Sequence, residues 1–171
     1  MHSDQRRQAI LDILSQASQP VSAGSLAQRF SVSRQIIVGD IALLRASGAG
    51  ISATPRGYVI LREHGGLRRQ IACQHDAAQM GTELNAIVDH GCTVVDVIVE
   101  HPIYGQITGP LQLSNRYEVS QFLERCSASD AQPLSVLTEG IHLHTISCPD
   151  EASYQRVCQQ LRQLGILLEG R

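Results

Sequence analysis

The sequence predicts an α+β fold in two successive segments, because two different patterns of apolar residues follow one another along the chain. Residues 1–62 place apolar side chains at helical spacing and then form two short β-like runs. Residues 63–171 alternate β-branched stretches with helical ones in the order βαββαβα. That order is typical of one antiparallel sheet with helices on one face.

The distribution of charge divides the chain at the same place. The net charge is −2, but residues 1–62 carry seven arginines against three acidic residues, a net of +4. Residues 63–171 carry seven arginines against thirteen acidic residues, a net of −6. A basic first segment beside an acidic remainder indicates that the first segment binds a polyanion.

Length and composition exclude several classes of protein. The 171 residues contain no apolar run of about eighteen, so we expect no membrane partner. The start, MHSDQRRQAILDIL, lacks the pattern of a secretory signal, which predicts a cytoplasmic protein. The five cysteines include no CxxC pair and are expected to be free thiols.

The first segment predicts three helices and a hairpin. Ser3 can cap a helix over SDQRRQAILDILSQ, and Ser22 can cap a short helix over AGSLAQRF. After the turn Ser31–Ser33, a third helix is expected in RQIIVGDIALLRASG, with Gly48 as its C-terminal stop, and GISATPRGYVIL predicts a hairpin. This layout is that of a winged helix-turn-helix, which we assign to residues 1–62.

The third helix is the predicted DNA-reading element. With Ile37, Ile41 and Leu44 directed inward, the opposite face holds small and polar side chains, Gly39 among them. A glycine there costs about 1 kcal/mol relative to alanine, which leaves open either close approach of DNA or a tolerated defect. A module for protein contact is the alternative. The predicted DNA-binding residues are Ser33, Arg34, Gln35, Val38 and, at the hairpin tip, Arg56.

In the second segment, the motif EGIHLHTIS places two histidines in a predicted strand. His142 and His144 are two residues apart, so their side chains lie on the same face. We expect that face to be directed away from the helices, with Ile141 and Leu143 directed toward them. Two such imidazoles can bind one cation, although a structural histidine pair is the alternative.

Further metal ligands are sought among residues of suitable type. His75 and Glu83 are the nearest candidates, but their spacing allows one shared site only if His75 lies outside the following helix. Cys73 with His75 forms a C-x-H pair, a weaker alternative site. The stretch EHPIYG, residues 100–105, allows either ligand binding or turn chemistry set by its proline and glycine.

These stretches together resemble a known family. SRQIIVGDIALLRASG followed by ISATPRGYVI resembles the helix-turn-helix of niacin-responsive repressors, the NiaR or YrxA family. Residues 70–147 resemble the C-terminal 3H domain of that family, through HDAAQMGTELNAIVDHG, VVDVIVEHPIYG and PLSVLTEGIHLHT. The resemblance covers nearly the whole chain. It implies a repressor of NAD biosynthesis or niacin salvage and uptake genes, with operator DNA and nicotinic acid as partners.

The resemblance also implies the site residues and the assembly. It implies a homodimer with one divalent transition metal per chain, nickel or zinc, in a 3H domain over residues 70–171, with a hinge at 63–69. The implied metal ligands are His75, Glu83, His142 and His144, and the implied effector-binding residues are His101 and Tyr104. The family pattern has a longer polar residue where this chain has Gly39.

Two other functions remain open at this point. One is a metal-responsive repressor, and the other is a metal-dependent enzyme fused to a helix-turn-helix domain. The sequence has no phosphate-binding loop of the GxxxxGK[ST] type, which favours a protein that is not an enzyme.

Overall fold

The computed structural model of the protein describes residues 2–60 and 66–170. The chain divides into two compact units, Met1–His64 and Gly65–Arg171. The predicted hinge at 63–69 begins outside the described residues. Its last three residues belong to a strand, β3 (Leu67–Gln74), because Leu67 pairs with Cys148 at the end of the last strand. Among the described residues, no helix is long and apolar enough to cross a membrane.

The first unit has the predicted order of helices and strands. It consists of α1 (Ser3–Gln16), α2 (Ala23–Phe30), α3 (Arg34–Ala46), β1 (Ile51–Thr54) and β2 (Gly57–Ile60). Ser22 and Ser33 cap α2 and α3, and their side chains accept hydrogen bonds from the backbone of Ser25 and Ile36. The helix-turn-helix prediction is confirmed at the level of the fold.

The core of the first unit explains how α3 is oriented. Ile37, Ile41 and Leu44 are buried against Ile10 of α1 and Leu26 of α2, as the helical spacing predicts. The opposite face of α3 therefore lies at the surface.

An ion pair between α1 and α3 adds to this core. Arg6 Nε donates to Asp40 Oδ2 over 2.6 Å, and Arg6 Nη2 lies 3.3 Å from Oδ1. Asp40 is buried, and Arg7 also reaches it at 3.4 Å. The pair connects α3 to α1 on the side away from the exposed face, and the apolar pattern does not reveal it.

The second unit follows the predicted order βαββαβα. After β3 come α4 (Met80–Val88), β4 (Thr93–His101), β5 (Gly105–Leu113), α5 (Arg116–Ala128), β6 (Ile141–Cys148) and α6 (Glu151–Gln163). The four strands form one antiparallel sheet in the order β3-β6-β4-β5. The C-terminal segment after α6 lies along β3, where Cys73 bridges with Leu167.

One face of this sheet packs against the helices. Val94 pairs with both Ile146 and Leu113, so these three side chains share a face, and all three are fully buried. They form a core with Leu84 and Ile87 of α4 and with apolar residues of α5 and α6. The predicted α+β architecture, with one antiparallel sheet and helices on one face, is confirmed.

Candidate functional site

The exposed face of α3 carries the residues predicted to contact DNA. Ser33, Arg34, Gln35 and Val38 are all exposed, and none belongs to the core of the first unit. Ser33 caps the helix, so the N-terminus of α3, where backbone N–H groups are unpaired, lies on this surface. The face can therefore approach a phosphate backbone and present polar side chains to base edges.

Arg56 lies in the turn between β1 and β2, as predicted. It is half-buried, and its Nη1 donates to Gln19 Oε1 over 3.2 Å. The neighbouring Gly57 has φ of 135°, and a Cβ there would meet the backbone of Val21 at 2.6 Å. The turn therefore requires glycine at 57, which fixes the position of Arg56 beside Gln19.

The four residues predicted as metal ligands lie together in the second unit. Nε2 of His75 lies 2.5 Å from Glu83 Oε2, Nε2 of His142 lies 2.9 Å from Oε1, and Nε2 of His144 lies 3.2 Å from Oε1. All four side chains are buried. We call these four residues the histidine cluster. It joins the end of β3, α4 and β6 around one carboxylate.

The other ring nitrogen of each histidine is held by a backbone carbonyl. Nδ1 of His75, His142 and His144 lies 2.6, 2.8 and 2.6 Å from the carbonyl oxygens of Asp76, Gly140 and Asp96. A carbonyl oxygen can only accept, so each Nδ1 carries the hydrogen. In the neutral ring this leaves Nε2 unprotonated near the Glu83 carboxylate, which is the tautomer of a metal-binding histidine.

The electrostatics of the cluster keep the Glu83 carboxylate ionised. Burial raises the pKa of Glu83, but the surrounding imidazoles, His144 first, outweigh burial and hold its pKa well below the ordinary value. Burial lowers the pKa of His144, yet the Glu83 charge raises it overall, and the pKa of His75 is raised for the same reasons. Three imidazole nitrogens therefore surround a single carboxylate, and one carboxylate can balance only one positive charge.

His144 shows the excess of nitrogen atoms over hydrogen-bond partners directly. Within the part of the chain that the structure describes, its buried Nε2 has no hydrogen-bond partner, although it lies 3.2 Å from a Glu83 oxygen. The two atoms are close, but their angle is not that of a hydrogen bond. Two atoms that bind the same ion are close to each other without a hydrogen bond between them, so the cluster is compatible with metal binding.

The structure corrects the predicted direction of the two strand histidines. His142 and His144 face the helices and are buried, whereas Ile141 is exposed and Leu143 is half-buried. The expectation that the histidines point away from the helices is wrong. Their carboxylate partner is on α4, and Ile146 and Cys148 are buried on the same face of the strand.

Two residues that sequence reasoning missed position the cluster. Gly140 has φ of 90°, and a Cβ there would overlap the backbone of His75. The register between β4 and β6 shifts between Val94 and Ile98, where β4 has one extra residue. In this stretch the carbonyl oxygen of Asp96 accepts from Nδ1 of His144, and Oδ1 of Asp96 accepts from the amide of Thr145 over 2.8 Å. The glycine before IHLHT and an aspartate within VVDVIV were the available signals.

Cys73 also lies close to the cluster, although the sequence did not group it with Glu83 and His142. The Cys73 sulfur, a Glu83 oxygen and a His142 nitrogen all lie within 4.8 Å of one another. The sequence had paired Cys73 with His75 as a weaker alternative site, whereas the structure places its sulfur near Glu83 and His142. Burial, with a contribution from Glu83, raises the pKa of the Cys73 thiol.

His101 serves the turn between β4 and β5. Its Nδ1 accepts from the amides of Ile103 and Tyr104 over 3.1 and 3.3 Å, and its ring centroid lies 5.0 Å from that of Tyr104. Turn chemistry is therefore present at EHPIYG. Tyr104 itself is 75% exposed, so its hydroxyl is accessible.

Comparison with known proteins places both units. A family model described as an HTH domain matches residues 6–59, and one described as a 3H domain matches residues 68–170. The chain is 43% identical over 165 residues to the "Probable transcription repressor NiaR" of Thermotoga maritima, covering 96% of this chain and 94% of that protein. It is 43% identical over 168 residues to the "Transcription repressor NadR" of Bacillus subtilis, covering 96% and 93%. The chain belongs to the NiaR/NadR family of transcription repressors.

Membership of the NiaR/NadR family decides between the classes of function left open by the sequence. The chain is a DNA-binding transcription repressor and not an enzyme. The alternative of a metal-dependent enzyme fused to a helix-turn-helix domain is therefore wrong.

Proposed function

We propose that the chain represses NAD biosynthesis or niacin salvage and uptake genes, with nicotinic acid as co-repressor and one nickel or zinc ion per chain. The observation that supports this most directly is the convergence of three Nδ1-anchored histidines on the Glu83 carboxylate. In the proposal, His75, Glu83, His142 and His144 hold the ion. Because a repressor acts on chromosomal DNA, the proposal includes a cytoplasmic location.

The donor set fits this choice of metal. Three imidazole nitrogens and one carboxylate oxygen suit zinc or nickel better than magnesium or calcium, which prefer oxygen ligands. The ion supplies positive charge that balances Glu83 and an affinity for a carboxylate. The chain's own residues keep the imidazoles in the metal-binding tautomer through the carbonyls of Asp76, Asp96 and Gly140.

A cleft beside the cluster is the proposed effector site. It has a volume of about 400 Å³, and its wall includes His142 of the cluster together with Thr138, Glu100 and Gln106. Apolar residues at the ends of β4 and β6 complete the wall, which suits an aromatic ring. His101 directly follows Glu100, and we propose that His101 and Tyr104 contact the effector from the turn.

Operator binding in the proposal uses a homodimer. Two copies of α3, presented by a symmetric pair of chains, match a pseudo-palindromic operator. The proposed DNA contacts are made by Ser33, Arg34, Gln35 and Val38, with Arg56 on the adjacent backbone. If nicotinic acid tightens operator binding by some factor, operator DNA must tighten nicotinic acid binding by the same factor.

The first test is thermal unfolding of the full chain loaded with Zn²⁺ or Ni²⁺. We expect nicotinic acid to raise the unfolding temperature, and nicotinamide and quinolinic acid to raise it less, because a ligand that binds the folded state stabilises it. The shift should disappear after chelation and in His142→Ala. A larger shift with nicotinamide than with nicotinic acid would contradict the choice of effector.

The second test separates an effector-responsive repressor from a metal-responsive one. DNA bound by the full chain is selected from a random pool, and its affinity is measured with and without nicotinic acid at a fixed concentration of metal. We expect nicotinic acid to increase the affinity. Full affinity with metal alone would refute the nicotinic acid proposal and favour the metal as the signal.

A further inference from the structure

Cys73 lies on the same sheet face as the histidine cluster. It is directly opposite His142 in the antiparallel register of β3 and β6, and its side chain is fully buried. Residues paired in this way have Cβ atoms about 4.5–5.5 Å apart and project side by side. The sulfur is therefore beside His142 because of the strand register, not because of a rotamer that could easily change.

The donor distances bring the sulfur close to Glu83 and His142 of the cluster. The Cys73 Sγ, a Glu83 carboxylate oxygen and a His142 ring nitrogen all lie within 4.8 Å of one another. In a tetrahedral zinc site, bonds of about 2.3 Å to sulfur and about 2.1 Å to nitrogen place the two ligand atoms about 3.6 Å apart. A movement of about 1.2 Å at most is then needed for both atoms to bind the same ion.

The sulfur lies beside polar groups rather than in a purely apolar part of the core. A buried cysteine in an apolar core acts as a small hydrophobic residue, but the Cys73 sulfur lies within 4.8 Å of a Glu83 oxygen and a His142 nitrogen. A thiol there can donate a weak hydrogen bond to the carboxylate, and that arrangement is the competing explanation. When an ion occupies the cluster, the sulfur can exchange its proton for the ion, and the proton leaves to solvent.

We propose that Cys73 is an additional ligand of the metal in this chain, so that the ion is bound by sulfur as well as by nitrogen and oxygen. This inference rests on the proposed metal site. A thiolate ligand favours softer ions such as Zn²⁺ over hard ions such as Mg²⁺ and Mn²⁺. The ion is then tied directly to β3 through Cys73, in addition to α4 and β6.

The test uses Co²⁺ as a spectroscopic substitute for Zn²⁺ in the full-length protein. The chelated protein is titrated with Co²⁺, and the visible d–d bands and the near-ultraviolet sulfur-to-cobalt charge-transfer band are recorded. We expect both in the unaltered chain. In Cys73→Val, which keeps an apolar side chain in the core, the d–d bands should remain and the charge-transfer band should be lost. In Cys158→Ala, a second buried thiol outside the cluster, both should remain.

Zinc affinity, measured by competition with a chelator, provides a second readout. Loss of a ligand should weaken binding in Cys73→Val by roughly 10-fold or more, since even the loss of an outer-shell partner has effects of that size. Cys73→Ala provides a further variant if Cys73→Val does not fold. Circular dichroism checks folding in each case.

The outcomes separate this inference from the proposed function. If d–d bands form without a charge-transfer band, or if the band persists in Cys73→Val, Cys73 is not a ligand while the metal site stands. If Co²⁺ and Zn²⁺ do not bind the unaltered chain at all, both the inference and the proposed metal site are wrong.

Discussion

Gly39 in α3 allows the DNA-reading face to be tested with a single methyl group. It lies in the interior of an exposed helix face, and a Cβ built there meets nothing within 4 Å. The packing of the domain therefore does not require glycine at this position. Gly39→Ala should stabilise the first unit by about 1 kcal/mol, the difference in helix propensity between the two residues.

The effect on DNA binding should have the opposite sign. If the backbone at 39 approaches the operator closely, the added methyl group occupies space that DNA requires. We expect operator affinity to fall by about tenfold, which corresponds to about 1.4 kcal/mol. Urea unfolding measures the first quantity, and fluorescence anisotropy with selected operator DNA measures the second, at one salt concentration throughout.

Ala42→Gly, on the same face, is the matched control because it removes a methyl group instead of adding one. It should lower the stability by a similar amount without introducing a clash with DNA. Unchanged or tighter operator binding in Gly39→Ala would refute the close-approach argument and leave Gly39 as a tolerated defect. A loss of stability in Gly39→Ala would refute the conclusion that the first unit has space for a Cβ at this position.

Three further predictions concern the glycine that holds the cluster, the ion pair in the first unit and the pH dependence of metal binding. Gly165→Ala, with φ of 71° and no neighbour within 4 Å, should show only the backbone cost of order 1–3 kcal/mol. Gly140→Ala should cost more than Gly165→Ala in urea unfolding and should also weaken zinc binding, because its Cβ overlaps the backbone of His75. Arg6→Ala should lower the urea midpoint more than Arg7→Ala, because the Arg6 guanidinium makes the shorter contacts to the buried Asp40; equal effects would contradict this. In the metal-free protein the raised pKa values of two cluster histidines contribute stability at low pH, and this contribution is lost as the pH rises through those values. Metal requires the neutral imidazoles, so the rise in unfolding temperature caused by Zn²⁺ should be larger at pH 8 than at pH 6, and the reverse order would refute the assignment.

The sequence was sufficient for the order of helices and strands, because hydrophobic spacing and capping residues are local signals. Asn115, for example, caps α5 as its side-chain type predicts. Local signals also placed His142 and His144 on one face. These signals did not show that this face is the one packed against the helices. Ile146 and Cys148 lie on the same face of the strand as the histidines, and both are buried. Extending the alternation to the end of the strand would have corrected the prediction.

The partners of the strand histidines depend on tertiary structure. His75 and Glu83 are eight residues apart, and they meet because a short 3₁₀ turn, Ala77–Gln79, separates His75 from α4. The approach of Cys73 depends on the register between β3 and β6, which are far apart in the chain. The register shift between β4 and β6 beside Asp96 has no sequence signature of its own. Only the resemblance to the family connected the ligands before the fold was known.

The position of His142 connects the two proposed ligands of the second unit. His142 contacts Glu83 within the cluster and also forms part of the wall of the cleft. A bound ion that fixes the position of His142 should therefore increase the affinity of the cleft for nicotinic acid. Linkage then requires nicotinic acid to increase the affinity for the ion by the same factor. Zinc affinity is measured by chelator competition with and without nicotinic acid, and nicotinic acid affinity is measured with and without zinc. The two affinities should change by the same factor. If nicotinic acid binds equally well after chelation, the ion only stabilises the fold, and the effector site is elsewhere.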